Sequence, residues 1–305
     1  MFIKGLCILL AVATAACGSH RLANLQQPSV PPPRDARAED TLEMFMAKVR
    51  KLAAEARPTP PSARTLESSD PALAAALLVM GKQPTAASYR NVAREYARLG
   101  VLDKAHEHLR LAVVADPRDA EAWEGLARLW RDWGLPHVGL PDAYRAIYHA
   151  PASASAYNTL GTLFQALGRR DEARAAYEAA LRRDPTAAYA LNNICYSWVL
   201  KVQPGRAVAA CNEALRLQPN FAAARNNLAL ARAIADDMAS ALRTFAEGGD
   251  ASRAQYNIGI VHLARREYGA AIKAFAAAQA LRPGFLIAEA RTRQARAQAE
   301  GAKEP

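Results

Sequence analysis

Along most of the chain the large apolar residues fall three or four positions apart, in short runs separated by Gly or Pro. That spacing is the signature of helices with one buried stripe. The stretch AYNTLGTLFQALGRRDEARAAYEAALRRDP, ending at Pro185, shows the pattern in full. Let the unit be numbered so that its proline is residue 32. Tyr157, Leu160, Gly161 and Phe164 then occupy positions 4, 7, 8 and 11, and Ala173, Tyr177 and Ala180 positions 20, 24 and 27. These positions predict two helices that pack face to face, with small residues where the backbones approach. Gly168 ends the first helix and Pro185 the second. The same proline recurs at Pro117, Pro151, Pro185 and Pro219, 34 residues apart, and again at Pro283 after 34 plus 30. A fixed period of this length predicts an all-α solenoid, each unit burying its apolar face against the next.

Outside the repeats the pattern changes. Residues 1–16 hold Lys4 and an apolar stretch from Leu6 to Val12, the layout of an export signal. Residues 17–37 form a Pro-rich tether around Pro28 and Pro31 to Pro33, which favours extended polyproline conformation. Residues 38–83 form an N-terminal helical region. It comprises a helix from about Asp40 to Ala56, a second Pro-rich break, and an apolar helix from about Pro71 to Lys82. Asp70 is placed as that last helix's N-cap and Pro71 as its first residue. The repeats cover 84–283, and 284–305 form a capping helix and tail, which an open-ended stack requires.

The repeating residues resemble the tetratricopeptide repeat (TPR), in register over about six units. Tyr89, Val92, Ala93, Tyr96, Ala105, Leu109, Ala112 and Pro117 match in the first; Leu191, Ile194, Cys195, Trp198, Ala207, Cys211, Ala214 and Pro219 match in the fourth. The second is degenerate in its second half, where Gly139 and Ala143 replace larger residues and Pro136 and Pro141 are expected to shorten the helix. The fifth lacks four residues around EGGDASR. Residues 71–82 look like the second half of an eroded earlier unit. The resemblance implies a TPR α-solenoid of helix-turn-helix units with a C-terminal cap, whose first helices line an inner face through positions 2, 5, 6, 9, 12 and 13. On that face fall Asn158, Asn192, Asn193, Asn226, Asn227 and Asn257, beside Tyr196, Leu230, Tyr256 and Ile260. Two readings stand for these amides. They serve the scaffold, or they form a groove for an extended peptide, because an amide both donates to and accepts from a backbone. Nearer the N-terminus the same face would carry Arg90, Arg94, Arg98, Arg128 and Arg131, a basic patch suited to an acidic segment or a phosphate, or a solvated surface.

Composition narrows the function. Apolar residues make up 51% of 305, enough for a substantial core. The formal charge of +10 is spread as Arg among Glu and Asp without a basic block, which argues against nucleic acid. The six histidines form no metal-ligand spacing, and neither a phosphate-binding Gly loop nor a GxSxG motif occurs. The sequence therefore implies no catalytic residue, no metal and no cofactor. Trp123, Trp130 and Trp133 lie at positions 4, 11 and 14, where packing explains them.

Thr14-Ala15-Ala16-Cys17 resembles a bacterial lipobox, which implies lipidation at Cys17 and a membrane-anchored protein facing the periplasm. Gly18 after the cysteine favours the outer membrane. Cys195 and Cys211, at positions 8 and 24 of one unit, could bridge in that oxidising compartment or pack as two small apolar residues. A repeat lipoprotein of this build resembles the pilus-assembly group that includes TadD of the tight-adherence pilus and the pilotin-like PilF and PilW. That resemblance implies a scaffold for protein partners such as a secretin or pilus subunits. An NlpI-like adaptor that gathers cell-wall hydrolases or proteases is the alternative.

Overall fold

In the computed structural model, residues 69–247 and 249–301 are described, and over them the chain forms fourteen helices and no strand. Cys17, the tether at 17–37 and the helix expected at 40–56 lie outside the described residues. Helix α1 is Pro71–Lys82, and Asp70 caps it by accepting from the Leu73 N–H at 2.9 Å. Six helix pairs follow. They are α2 (Ala86–Arg98) with α3 (Leu102–Ala115), α4 (Ala120–Asp132) with α5 (Pro136–His149), α6 (Ala154–Ala166) with α7 (Arg170–Arg183), α8 (Ala188–Leu200) with α9 (Pro204–Leu217), α10 (Ala222–Ile234) with α11 (Met238–Ala246), and α12 (Ala251–Ala264) with α13 (Tyr268–Leu281). Helix α14 (Leu286–Gly301) packs on α13 and closes the end through Ala288, Thr292 and Ala295.

The buried positions are those the period assigns. Tyr157, Leu160 and Phe164 of α6 and Ala173, Tyr177 and Ala180 of α7 are all at most 2% exposed. Positions 8 and 24 form a lock across the helix pairs of the third, fourth and sixth units. A Cβ on Gly161 would sit 2.4 Å from the Tyr177 ring, and one on Gly259 would sit 2.5 Å from the Phe275 ring. A ring at position 24 thus occupies the space that a side chain at position 8 would need. In the fourth unit the two positions are Cys195 and Cys211, joined in a disulfide with Cα atoms 5.3 Å apart, within the range such a bond spans.

The expected shortening of α5 is not found. That helix runs the same 14 residues as α3, α7, α9 and α13. Pro136 stands in its first turn, where the missing N–H costs nothing, and Pro141 forfeits only one interior hydrogen bond. Gly139 keeps the pair close, since a Cβ there would meet the Ala127 carbonyl at 2.8 Å. The short helix is α11, with nine residues, in the unit that lacks four.

The turn between the helices of each unit needs a left-handed residue at position 15. Gly100, Gly134 and Gly168 supply it in the first three units, and Val202, Asp236 and Arg266 in the last three. The core changes character at a similar point. One continuous cluster extends from Leu73 to Ile194, whereas the later units divide theirs among three smaller clusters.

Candidate partner-binding face

Helices α2, α4, α6, α8, α10 and α12 carry positions 5, 6 and 9, which the core leaves partly or fully exposed except at the buried Glu124 and Thr159. Their side chains are joined from unit to unit by a repeated hydrogen bond. The Asn193 side-chain amide N–H donates to Asn158 Oδ1 at 2.8 Å, and that of Asn227 donates to Asn192 Oδ1 at 2.9 Å. Both rungs run from position 6 of one unit to position 5 of the preceding one, 35 residues back. A third rung of the same spacing uses other chemistry. The Thr159 hydroxyl donates to Glu124 Oε1 at 2.9 Å, and Ser155 donates to the same oxygen at 2.6 Å. Glu124 is 4% exposed, and these hydroxyls help hold its carboxylate in that buried place. The sequence placed the amides on one face. That they bond to each other, and that Glu124, Ser155 and Thr159 continue the row, was legible only as matching column numbers.

The row stops before the last unit. Among the described residues, neither Asn226 nor Asn257 has a side-chain hydrogen bond, although both are half-buried. They are the position 5 and position 6 pair of units five and six, but they stand 31 residues apart instead of 35. Around them Leu230 packs against the core of its own unit. Tyr256 packs at a tilt against Phe275 and Phe285, with centroids at 5.7 and 5.4 Å, and Ile260 packs on the same cluster. Tyr196 is half-buried on α8.

Four of the five arginines nearer the N-terminus, all but Arg94, lie beside carboxylates. Arg90 pairs with Asp119 at 2.8 Å and with Glu121, and Arg98 pairs with Asp70 at 2.6 Å and Glu95 at 2.7 Å. The Arg98 hydrogen bond holds the Asp70 carboxyl below its usual range. Arg131 pairs with Asp132 at 2.7 Å and donates to Thr162 at 2.9 Å, while Arg128 lies 3.6 Å from Glu124. Arg94 donates to Asn91 at 3.2 Å. A cavity of about 580 Å³ opens here, lined by both signs of charge, with Leu102, Leu109 and Leu129 also in its wall. The patch is therefore a mixed-charge surface rather than a basic one.

Behind this face lies a buried ionic cluster that the repeat pattern did not reveal. Asp142 accepts from Trp130 Nε1 and from Arg145, each at 3.0 Å, and the Arg145 guanidinium lies 4.9 Å from the Trp123 ring centroid. Burial pushes the Asp142 carboxyl up to about 6, against the pull of Arg145 and the Trp130 N–H. The only sequence signal was an Asp and an Arg three apart on a helix otherwise buried there. Trp123 and Trp130 are core residues, and the Trp123 Nε1–H donates to the Pro117 carbonyl at 2.9 Å. Among the described residues no group of three or more His, Cys, Asp or Glu could hold a metal ion. No helix among them is long and apolar enough to cross a membrane.

Comparison with known proteins agrees with this architecture. Two stretches match family models described as tetratricopeptide repeat, residues 154–187 and 241–284. No curated protein matches by sequence. A chain of the APC/C hetero-tetramer Cut9–Hcn1 superposes with a TM-score of 0.64 at 19% identity, over 76% of this chain and 48% of its own. This chain thus spans about half the length of that one. PilW, a type IV pilus biogenesis factor, superposes at 0.56 with 24% identity, over 64% of this chain and 92% of its own. The pilF protein of Pseudomonas aeruginosa gives 0.54 with 19% identity, over 70% and 97%. At such identities the likeness establishes the solenoid fold.

Proposed function

Taking as premise that the chain is a tetratricopeptide-repeat protein, we propose that it is a non-enzymatic scaffold. It holds protein partners on the face of its first helices and assists assembly of a pilus or secretion machine of the tight-adherence or type IV kind. The observation that carries this reading is the row of side chains at positions 5, 6 and 9, half-buried throughout units four to six. The first helices of six successive units present it, and apart from Glu124 and Thr159 the core does not consume it. Such a surface offers amide donors and acceptors beside apolar area, which is what recognition of an extended segment uses. The fold shared with PilW and pilF supports the pilus assignment. We place the protein in the periplasm, held by lipid on Cys17.

The test is cross-linking in the native cell. A photoreactive residue is installed at Tyr196 on the inner face or at the exposed Glu178 of α7. Capture at Tyr196 but not at Glu178 of a secretin or a pilus subunit supports the proposal. Capture of cell-wall hydrolases would instead favour an adaptor role, and capture from neither position would end the inner-face reading.

A further inference from the structure

We propose that the partner's contact segment is an uncharged, extended stretch with apolar or aromatic side chains, and that it docks at the joint between units five and six. This rests on the reading above that the first helices form the binding face. It adds where on that face the segment lies and what chemistry it has.

The location follows from hydrogen-bond accounting. Three successive unit joints spend their position 5 and position 6 groups on each other: Glu124 with Thr159, Asn158 with Asn193, and Asn192 with Asn227. An amide already bonded to its neighbour can be recruited by a partner only at the cost of that bond. At the next joint the four missing residues shorten the spacing to 31, and α11 keeps only nine residues. Asn226 and Asn257 are left without a side-chain hydrogen bond among the described residues. Two half-buried amides with open donors and acceptors are therefore present at this joint, whereas a repeated rung closes the three before it. Their chemistry matches a peptide backbone, which offers one donor and one acceptor per residue.

The character of the segment follows from what surrounds those amides. On the inner face of units four to six the side chains at positions 5, 6, 9, 12 and 13 carry no charge and Arg253 at position 2 is the one charged residue, whereas units one and two place Arg90, Glu124, Arg94, Arg128 and Arg131 there. A charged partner residue over the amide pair would lose water and, apart from the exposed Arg253, meet no charged side chain of this face, so neutral side chains are selected. Tyr196, Leu230, Tyr256 and Ile260 offer apolar area on both sides of the amide pair. Tyr256 is fixed against Phe275 and Phe285, and so gives a partner side chain a rigid ring to pack on.

The experiment selects peptides from a random linear display library on the full chain. Affinity of the recovered sequences is then measured for the chain and two double variants, Asn226→Ala with Asn257→Ala, and Arg94→Ala with Arg128→Ala. The expected result is a pool depleted in Asp, Glu, Lys and Arg. Its affinity falls about tenfold or more in the asparagine pair and stays within about twofold in the arginine pair. The asparagine pair should melt with the parent protein, since neither amide holds a bond in the fold. A pool rich in charged residues that responds to the arginine pair would overturn this inference while sparing the inner-face reading. Peptides indifferent to both pairs, or no recovered peptide, would count against both. Dimerisation that rises with concentration and is abolished by the asparagine pair would make a second copy of the chain the occupant, and would also overturn it.

Discussion

Asp142 has almost no contact with water, and its carboxylate survives in the fold on the Trp130 N–H and the Arg145 guanidinium. Desolvation outweighs both, so its native value of about 6 lies above the ordinary 3.8. The sign of the consequence follows from linkage. Between about pH 4 and about pH 6 the folded chain holds a proton that the unfolded chain has released. This group's contribution to stability is thus complete below that window and is lost as pH rises through it. Asp142→Asn keeps an acceptor for the Trp130 N–H and removes the titration. The part of the Tm change across that window that Asp142 causes should vanish in the variant, and thermal melts of both proteins at several pH values check it. An identical pH profile in the two proteins would contradict the raised value. At this scale the sequence told which side chains are buried by the repeat, because position alone decides that. It did not tell which polar side chains meet, because Asp142 and Trp130 come together across two helices.

The fourth unit carries two departures from its neighbours, and both predict measurable effects. Its lock at positions 8 and 24 is covalent, and both sulfur-bearing residues are fully buried. The bond ties α8 to α9 at the seam where the continuous core ends at Ile194 and the next cluster begins at Cys195. Closing a loop of 16 residues' separation constrains the unfolded chain by about 3 kcal/mol. Replacing both cysteines with Ala should lower Tm by several degrees, and thiol titration of the denatured, unreduced mature protein should find neither sulfur free. Two free thiols per chain would mean that the residues only pack. The second departure is Val202, a β-branched residue at φ 55° in the turn where earlier units use Gly. Val202→Gly relieves that conformation, and denaturant unfolding should show a gain of about 1 kcal/mol. Both sites were legible as columns in the sequence, Cys at 8 and 24 and a missing Gly at 15. Whether the cysteines come within bonding range depends on how closely two helix axes approach, which the packing of neighbouring units sets.

For the whole molecule, the proposed attachment to the membrane rests on the sequence ahead of the solenoid. If Cys17 carries the lipid, Cys17→Ser should move the protein from the membrane fraction to the soluble periplasm while leaving the repeats folded. Fractionation with metabolic lipid labelling checks this, and a wild-type protein without label would end the proposal. The sequence by itself determined the all-α class, the number and order of units, the cap on α1, the ends of most helices and the identity of the core. These are local or periodic properties: a helix is set by spacings of three and four, and a repeat by the recurrence of small and large residues that pack only against their own neighbours. Tertiary structure alone decided three things. It kept α5 at full length, because a first-turn proline and a close glycine contact offset the break that Pro141 suggested. It balanced the arginines with Asp70, Asp119 and Glu121, drawn from other helices or loops. And it closed the asparagine row into rungs over units three to five while leaving Asn226 and Asn257 open. A hydrogen bond across a unit boundary depends on how neighbouring units are set against each other, and at this joint the spacing is 31 residues instead of 35 and α11 has only nine residues.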